Sequence, residues 1–339
     1  MNKIWKLLGI VYLLFNFGIQ PVAAKEMGGY TIEGVPNINQ LDPNLGYFYL
    51  HEEVGSSDTV KVKLINTSSK EKILRVKVTN AVTNSNGLID YTGILAEHSS
   101  LKYPLTEIAE VTQKEVVVPQ ESEVETEIKL TMPKERLSGV VIGGIVVSEK
   151  ATENQTNGQI SLENAYSYTL GLVVTNELKV ELNKHLSIEL EKVQAKLDAG
   201  RKIIEASFLN PNPYIFSNAK VQGTIVNKKN NRVIKQLTTE SVNIAPYSVY
   251  PFQLDWKKED LTPGTYLFKG IVTAVDKKWT LEKEFSISNE QAKTINQESV
   301  YKISIPSWLR YMTLGTVSGS FFGTFYLILR KRVKVRKQK

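Results

Sequence analysis

Groups able to do covalent chemistry are sparse in this 339-residue chain. Its three histidines, His51, His98 and His185, stand in none of the spacings that ligate a metal, and there is no cysteine to form a disulfide or a thiolate. His98 precedes Ser99-Ser100, the residue types of a base and a nucleophile, but no GxSxG elbow accompanies them and a surface-loop histidine is the plainer reading. Glu121, Glu123, Glu125 and Glu127 alternate, as one solvated strand face does, and such a face also discourages edge pairing; a glycosidase would need two carboxyls gathered across a cleft. Gly143-Gly144 has no following helix or lysine, so it is no phosphate loop and marks a bulge or a close strand contact. No catalytic residue, metal ligand or cofactor is expected.

Binding chemistry has better candidates. On an extended strand Tyr47 and Tyr49 point to one face and Phe48 to the other. Either the two tyrosines form an exposed aromatic surface of the kind sugars stack upon, or they are core and Phe48 lies under a loop. Asn39, Gln40, Asn86 and Tyr91 are turn-building residues first and ligand contacts second.

The elements that must position these residues are strands. Val60, Val62 and Leu64 alternate with Lys61 and Lys63, and Leu74, Val76 and Val78 with Arg75 and Lys77. Further runs cover 124–130, 140–147, 166–174, 203–209, 219–226, 249–254, 265–275 and 279–287, with turn residues between them and no comparable run at a helical period. This predicts an all-β ectodomain of two tandem immunoglobulin-like β-sandwiches. Val60-x-Val62-x-Leu64-x-Asn66 echoes Ile204-x-Ala206-x-Phe208-x-Asn210, each asparagine placed to bond its own turn. The polar stretch 149–164 is either an interdomain linker or a long hairpin connection, in which case strand 166–174 completes the first domain and the boundary moves to about Asn176. The expected domains are 28–150 and 160–297, with 288–299 a polar link from the second domain to the membrane.

The two ends bear on location. Lys3 and Lys6 precede the apolar run 7–19, and Val22-Ala23-Ala24 offers small residues at a cleavage site, predicting a signal peptide over 1–24. Tyr311 to Leu329 is 19 residues without a charge and is followed by seven basic residues in the ten of 330–339. This predicts a transmembrane helix over 308–329 and a basic cytoplasmic tail, with the domains outside the cell membrane. Gly315, Gly319 and Gly323, four apart, would let another helix approach closely. No LPxTG motif precedes the segment, so sortase attachment is disfavoured. The formal charge of +7 also belongs to these ends: they carry +10 and no acid, which leaves the ectodomain at −3 and argues against nucleic acid as a partner.

Several stretches resemble the WxL-interacting protein family of Gram-positive bacteria. In the first domain these are Tyr30-Thr31-Ile32-Glu33-Gly34-Val35-Pro36-Asn37-Ile38-Asn39-Gln40 with the aromatic strand Gly46–Leu50, Asn80 to Gly87 with Tyr91, and Ser138 to Ile145. In the second they are Ala245-Pro246-Tyr247-Ser248, where the family usually has Asn in place of Tyr247, then Leu261-Thr262-Pro263-Gly264-Thr265-Tyr266, Trp279 before Phe285, and Ala292 to Asn296. The resemblance implies an envelope protein whose first domain associates with peptidoglycan and whose second attaches host extracellular-matrix proteins. It also implies partnership with secreted WxL-domain surface proteins. The expected function is therefore non-enzymatic binding and adhesion at the cell surface. The alternatives are an envelope enzyme acting on wall glycans, which would need a pocket gathering carboxylates or a histidine, and a sensor subunit, for which a ten-residue tail would need a signalling partner.

Overall fold

The structure is a computed structural model and describes residues 27–150, 166–301 and 307–336. The expected signal peptide over 1–24 lies outside the described residues, as do 151–165 and the last three residues of the tail. Among the described residues, eleven strands belong to the first unit. They are β1 (Tyr30–Gly34), β2 (Phe48–His51), β3 (Ser57–Asn66), β4 (Lys72–Asn80), β5 (Val82–Thr83), β6 (Ile89–Asp90), β7 (Ala109–Val111), β8 (Glu115–Val118), β9 (Ser122–Thr131), β10 (Val141–Glu149) and β11 (Ser167–Thr175). One sheet runs β1-β3-β9-β7 and the other β2-β11-β10-β4-β8, with β5 and β6 forming a small hairpin beside them. All pairings are antiparallel except β2 with β11.

Period-two alternation decides which side chains fill the space between these sheets. Val60, Val62 and Leu64 of β3 meet Leu74 and Val76 of β4, Ile145 and Val147 of β10 and Leu172 and Val174 of β11. On β9, Glu123, Glu125 and Glu127 form the expected solvated face and pair with Lys61 and Lys63 of β3. The edge-protecting role does not hold, because β9 lies between β3 and β7, and Glu121 sits in the turn before the strand at φ 50°. β10 pairs with β11 in continuous antiparallel register, so the strand after the polar stretch completes the first sandwich, and the crossing to the second falls after Thr175.

The second unit holds β12 (Glu189–Asp198), β13 (Arg201–Leu209), β14 (Phe216–Asn227), β15 (Arg232–Ile244), β16 (Val249–Asp255), β17 (Gly264–Ala274) and β18 (Lys277–Ile287). The sheets are β12-β13-β16 and β15-β14-β17-β18, the seven-strand count of an immunoglobulin-type sandwich. The stretch after β18, expected to be a polar link, is in fact a helix, Asn289–Glu298. Ser288 caps it by accepting from the Gln291 amide, and Ala292 and Ile295 are buried in the second core. The two asparagines of the internal echo play the same part in each unit. The Asn66 amide donates to the carbonyls of Lys70, Val118 and Pro119, and the Asn210 amide to those of Tyr214, Ile244 and Ala245. Each side-chain oxygen accepts the amide two residues on, from Ser68 and Asn212.

The sandwiches meet across a seam of direct hydrogen bonds. Thr83 accepts from the Ala245 amide and the Ser248 hydroxyl, while the Val140 amide donates to Pro213 O at 3.0 Å. Beside that bond Gly139 has φ 72°, and a Cβ there would stand 2.1 Å from the same carbonyl, so glycine is required. Tyr247, where the resembled family has Asn, holds φ 52°, a region Asn enters more easily than Tyr. The C-terminal segment is one helix, Ser307–Arg336. Among the described residues no helix is long and apolar enough to cross a membrane.

Candidate binding site

The site is built outward from β2. Alternation sends Phe48 and Leu50 into the first core and leaves Tyr47 and Tyr49 on the outer face, with Tyr47 41% exposed and Phe48 4%. Phe48 is thus core rather than covered by a loop, Tyr47 is exposed, and Tyr49 is half-buried against the small apolar cluster of Ala81, Val140, Ile142, Val173 and Ala245. The loop before β2 is tied down by Gln40, whose amide donates to Asp42 O at 2.9 Å and Tyr47 O at 3.1 Å while its carbonyl accepts the Tyr49 amide at 3.1 Å. Asn39 donates to Glu52 Oε1 at 3.1 Å and Asp58 Oδ2 at 3.3 Å. Both residues are half-buried, Gln40 holding the backbone at Tyr47 and Tyr49 and Asn39 the Glu52–Asp58 pair. Burial pushes the Glu52 carboxyl up to about 7; the Asn39 amide opposes the rise and the neighbouring Asp58 adds to it.

On the same outer face, Gly144 of β10 and Gly171 of β11 are paired neighbours with no side chain between them. A Cβ on Gly171 would stand 3.3 Å from the Tyr47 Cβ, and one on Gly144 would stand 2.9 Å from Tyr91 O and 3.0 Å from the Tyr91 Cβ. Gly143-Gly144 thus marks close contacts in unbroken register rather than a bulge, since a Cβ on Gly143 would stand 2.0 Å from Thr79 O, and Gly144 with Gly171 lets Tyr91 settle on one strand and Tyr47 on the next. Thr79 holds Tyr91 by donating from its hydroxyl to the Tyr91 carbonyl. Burial raises the pKa of both the Tyr91 and Tyr49 hydroxyls, with Tyr47 adding to each rise, and both rings pack against the same apolar cluster.

Tyr47 separates two grooves. One, of about 450 Å³, has Gly171 in its floor and Tyr47 and Tyr91 at its sides, with Asp90 and Thr169 as polar groups and Ile215 contributed by the second sandwich. The other, of about 430 Å³, lies between β1 and the loop before β2 over Gly34, Phe48 and Leu170. Asn86 stands apart, exposed in the β5–β6 turn, where its amide donates to Asn84 Oδ1 at 3.0 Å. The sequence did not single out Asp90, Thr169, Gly171 or Ile215. Alternation about Leu170, Leu172 and Val174 carries a signal for Thr169 and Gly171, as the opposite face of β11, but only once β11 is assigned to the first sandwich.

The histidine-serine pair does assemble. His98 Nδ1 lies 2.8 Å from Ser100 Oγ and His98 Nε2 lies 3.2 Å from Glu191 Oε2 across the seam. The serine hydroxyl donates instead to Tyr247 O at 2.9 Å, and the neighbouring cavity, of about 10 Å³, has no room for a substrate. The trio ties the sandwiches together. Among the described residues no group of three or more His, Cys, Asp or Glu side chains could hold a metal ion.

The first of the two tandem sandwiches thus presents Tyr47 and its groove at the surface. The model of the WxL Interacting Protein, peptidoglycan binding domain, matches residues 30–149, and that of the WxL Interacting Protein, host binding domain, matches residues 157–297. The chain belongs to the WxL-interacting protein family. No curated protein matches it. Among solved structures it is similar to the E. coli chaperone DraB, at 16% identity over 69% of this chain and 90% of that one with a TM-score of 0.29. It is also similar to the Pseudomonas aeruginosa CupB2 chaperone, at 14% identity over 67% and 91% with a TM-score of 0.27. At such scores these likenesses bear neither on the arrangement of the domains nor on function.

Proposed function

We propose that the chain is a non-enzymatic, membrane-held adhesion protein of a Gram-positive envelope. Its first sandwich binds peptidoglycan, its second contacts host extracellular proteins, and the pair associates with secreted WxL-domain proteins. The observation that carries this reading is the outward tyrosine face on the sandwich matched by the peptidoglycan-binding family model. Binding of this kind needs surface and shape, not a perturbed acid or base. The charge-free run 311–329 and the basic residues after it support an anchor. The same run supports a cytoplasmic tail and extracellular sandwiches. Where Cβ atoms of Gly315, Gly319 and Gly323 would stand there is open space, which suits contact with a second membrane helix.

Co-sedimentation of the full chain, held in mild detergent, with insoluble peptidoglycan tests the reading, with and without a secreted WxL-domain protein. Pelleting with the wall, enhanced by that protein, is the expected result; a chain that stays in the supernatant in both cases contradicts it.

A further inference from the structure

We propose that the groove between Tyr47 and Tyr91 seats the glycan strand of the wall polymer, with a pyranose ring laid against Tyr47, rather than its stem peptide. The proposal rests on the wall-binding reading above and specifies its site. Between Tyr47 and Tyr91 the floor of the groove is the face of β10, paired by β4 and β11, and of β11, paired by β10 throughout and by β2 from Leu172 onward. A sugar asks for no backbone ladder; its C–H face suits the electron-rich face of a tyrosine ring and its hydroxyls need discrete polar partners.

Among the described residues Asp90 is the one charged side chain lining this groove, and it repels the carboxylates of a stem peptide while accepting hydrogen bonds from sugar hydroxyls or an N-acetyl amide. The Thr169 hydroxyl is exposed at the rim. With glycine at 144 and 171 the tyrosines rest on backbone, and the slot between them, about 450 Å³, lies within the roughly 300–1,000 Å³ that small-ligand sites occupy. Ile215 reaches this slot from the second sandwich, so both units build the site.

The test uses the full chain in detergent and insoluble peptidoglycan, with two competitors prepared from the same wall: soluble glycan strands freed by an amidase, and free stem peptides. The glycan strands are expected to displace the chain and the peptides to leave it bound. Tyr47→Ala is expected to weaken sedimentation about tenfold and Tyr47→Phe by less than about twofold, since the ring is what stacks. Gly171→Ala, which pushes on the Tyr47 Cβ, is expected to weaken it as well. Circular dichroism of each variant reads out folding, and Val117→Ala, on a distant exposed strand position, serves as the control. If the wild-type chain sediments but Tyr47→Ala sediments equally well, or stem peptides displace it, the groove assignment is overturned while wall binding stands. If the wild-type chain does not sediment at all, both fall together.

Discussion

The two sandwiches spend their aromatic residues in opposite ways. In the second, Phe208, Phe252 and Phe268 meet edge-to-face at centroid separations of 6.0 to 6.3 Å in the middle of the core, with Tyr250, Phe216 and Tyr266 around them. Its outer sheet face is laced with ion pairs such as Lys269–Glu282 and Lys220–Glu240. In the first, the core is mainly Val, Leu and Ile, with Tyr30 and Phe48 as its buried rings, while Tyr47 is exposed on the outer face and Tyr49 and Tyr91 pack half-buried beside it against a small apolar cluster. The architecture is shared; the face on which rings are placed is not. Aromatic content therefore says nothing about binding until the facing of each strand is known.

The sharpest way to break this contrast is to delete a ring on each side. Phe208→Ala should destabilise the chain by about 3–5 kcal/mol in a denaturant titration, because it empties the centre of a packed core. A loss below about 1 kcal/mol would show that the second core tolerates the cavity. Next in size, Asn66→Ala and Asn210→Ala should each cost about 2–3 kcal/mol, since each removes a buried amide that donates to three carbonyls. Unequal losses in the same titration would show that the two turns are not equivalent.

A smaller effect separates the units by pH. The Glu52 carboxyl titrates near 7 in the folded chain against an ordinary 4.5, so its proton is held more tightly when folded. Its stabilising contribution is complete below about pH 4.5 and is lost as pH rises through 7. Comparing wild type with Glu52→Gln across pH 4 to 8 should therefore show the variant gaining relative stability as pH rises, by on the order of 1 kcal/mol. A flat difference would contradict the burial argument. Smallest of all, Tyr47→Ala should change stability by less than about 0.5 kcal/mol, since that ring is 41% exposed. A larger loss in thermal unfolding would make Tyr47 a structural residue.

Most strands were legible because alternation about a half-buried face is a local signal, as in Val60, Val62 and Leu64. β12 was not, since a register shift between Leu190 and Lys192 breaks its alternation amid charged residues. β15 was hidden too, as a mostly exposed strand at the sheet edge whose apolar residues keep no period. The helix Asn289–Glu298 read as a polar link because two residues, Ala292 and Ile295, carry its buried face. For the site, Tyr47, Tyr49 and Tyr91 were visible by type and spacing. Their companions were not: Gly171 meets Tyr47 through the parallel β2–β11 pairing, and Ile215 arrives from another domain.

Hydrogen–deuterium exchange of the full chain, free and bound to insoluble peptidoglycan, tests most directly whether the first sandwich meets the wall through its outer tyrosine face. The account predicts slowed exchange at 46–50, 89–92 and 169–173, with the sheet β15-β14-β17-β18 unchanged. Slowed exchange confined to that sheet, or none in the first sandwich, would contradict it.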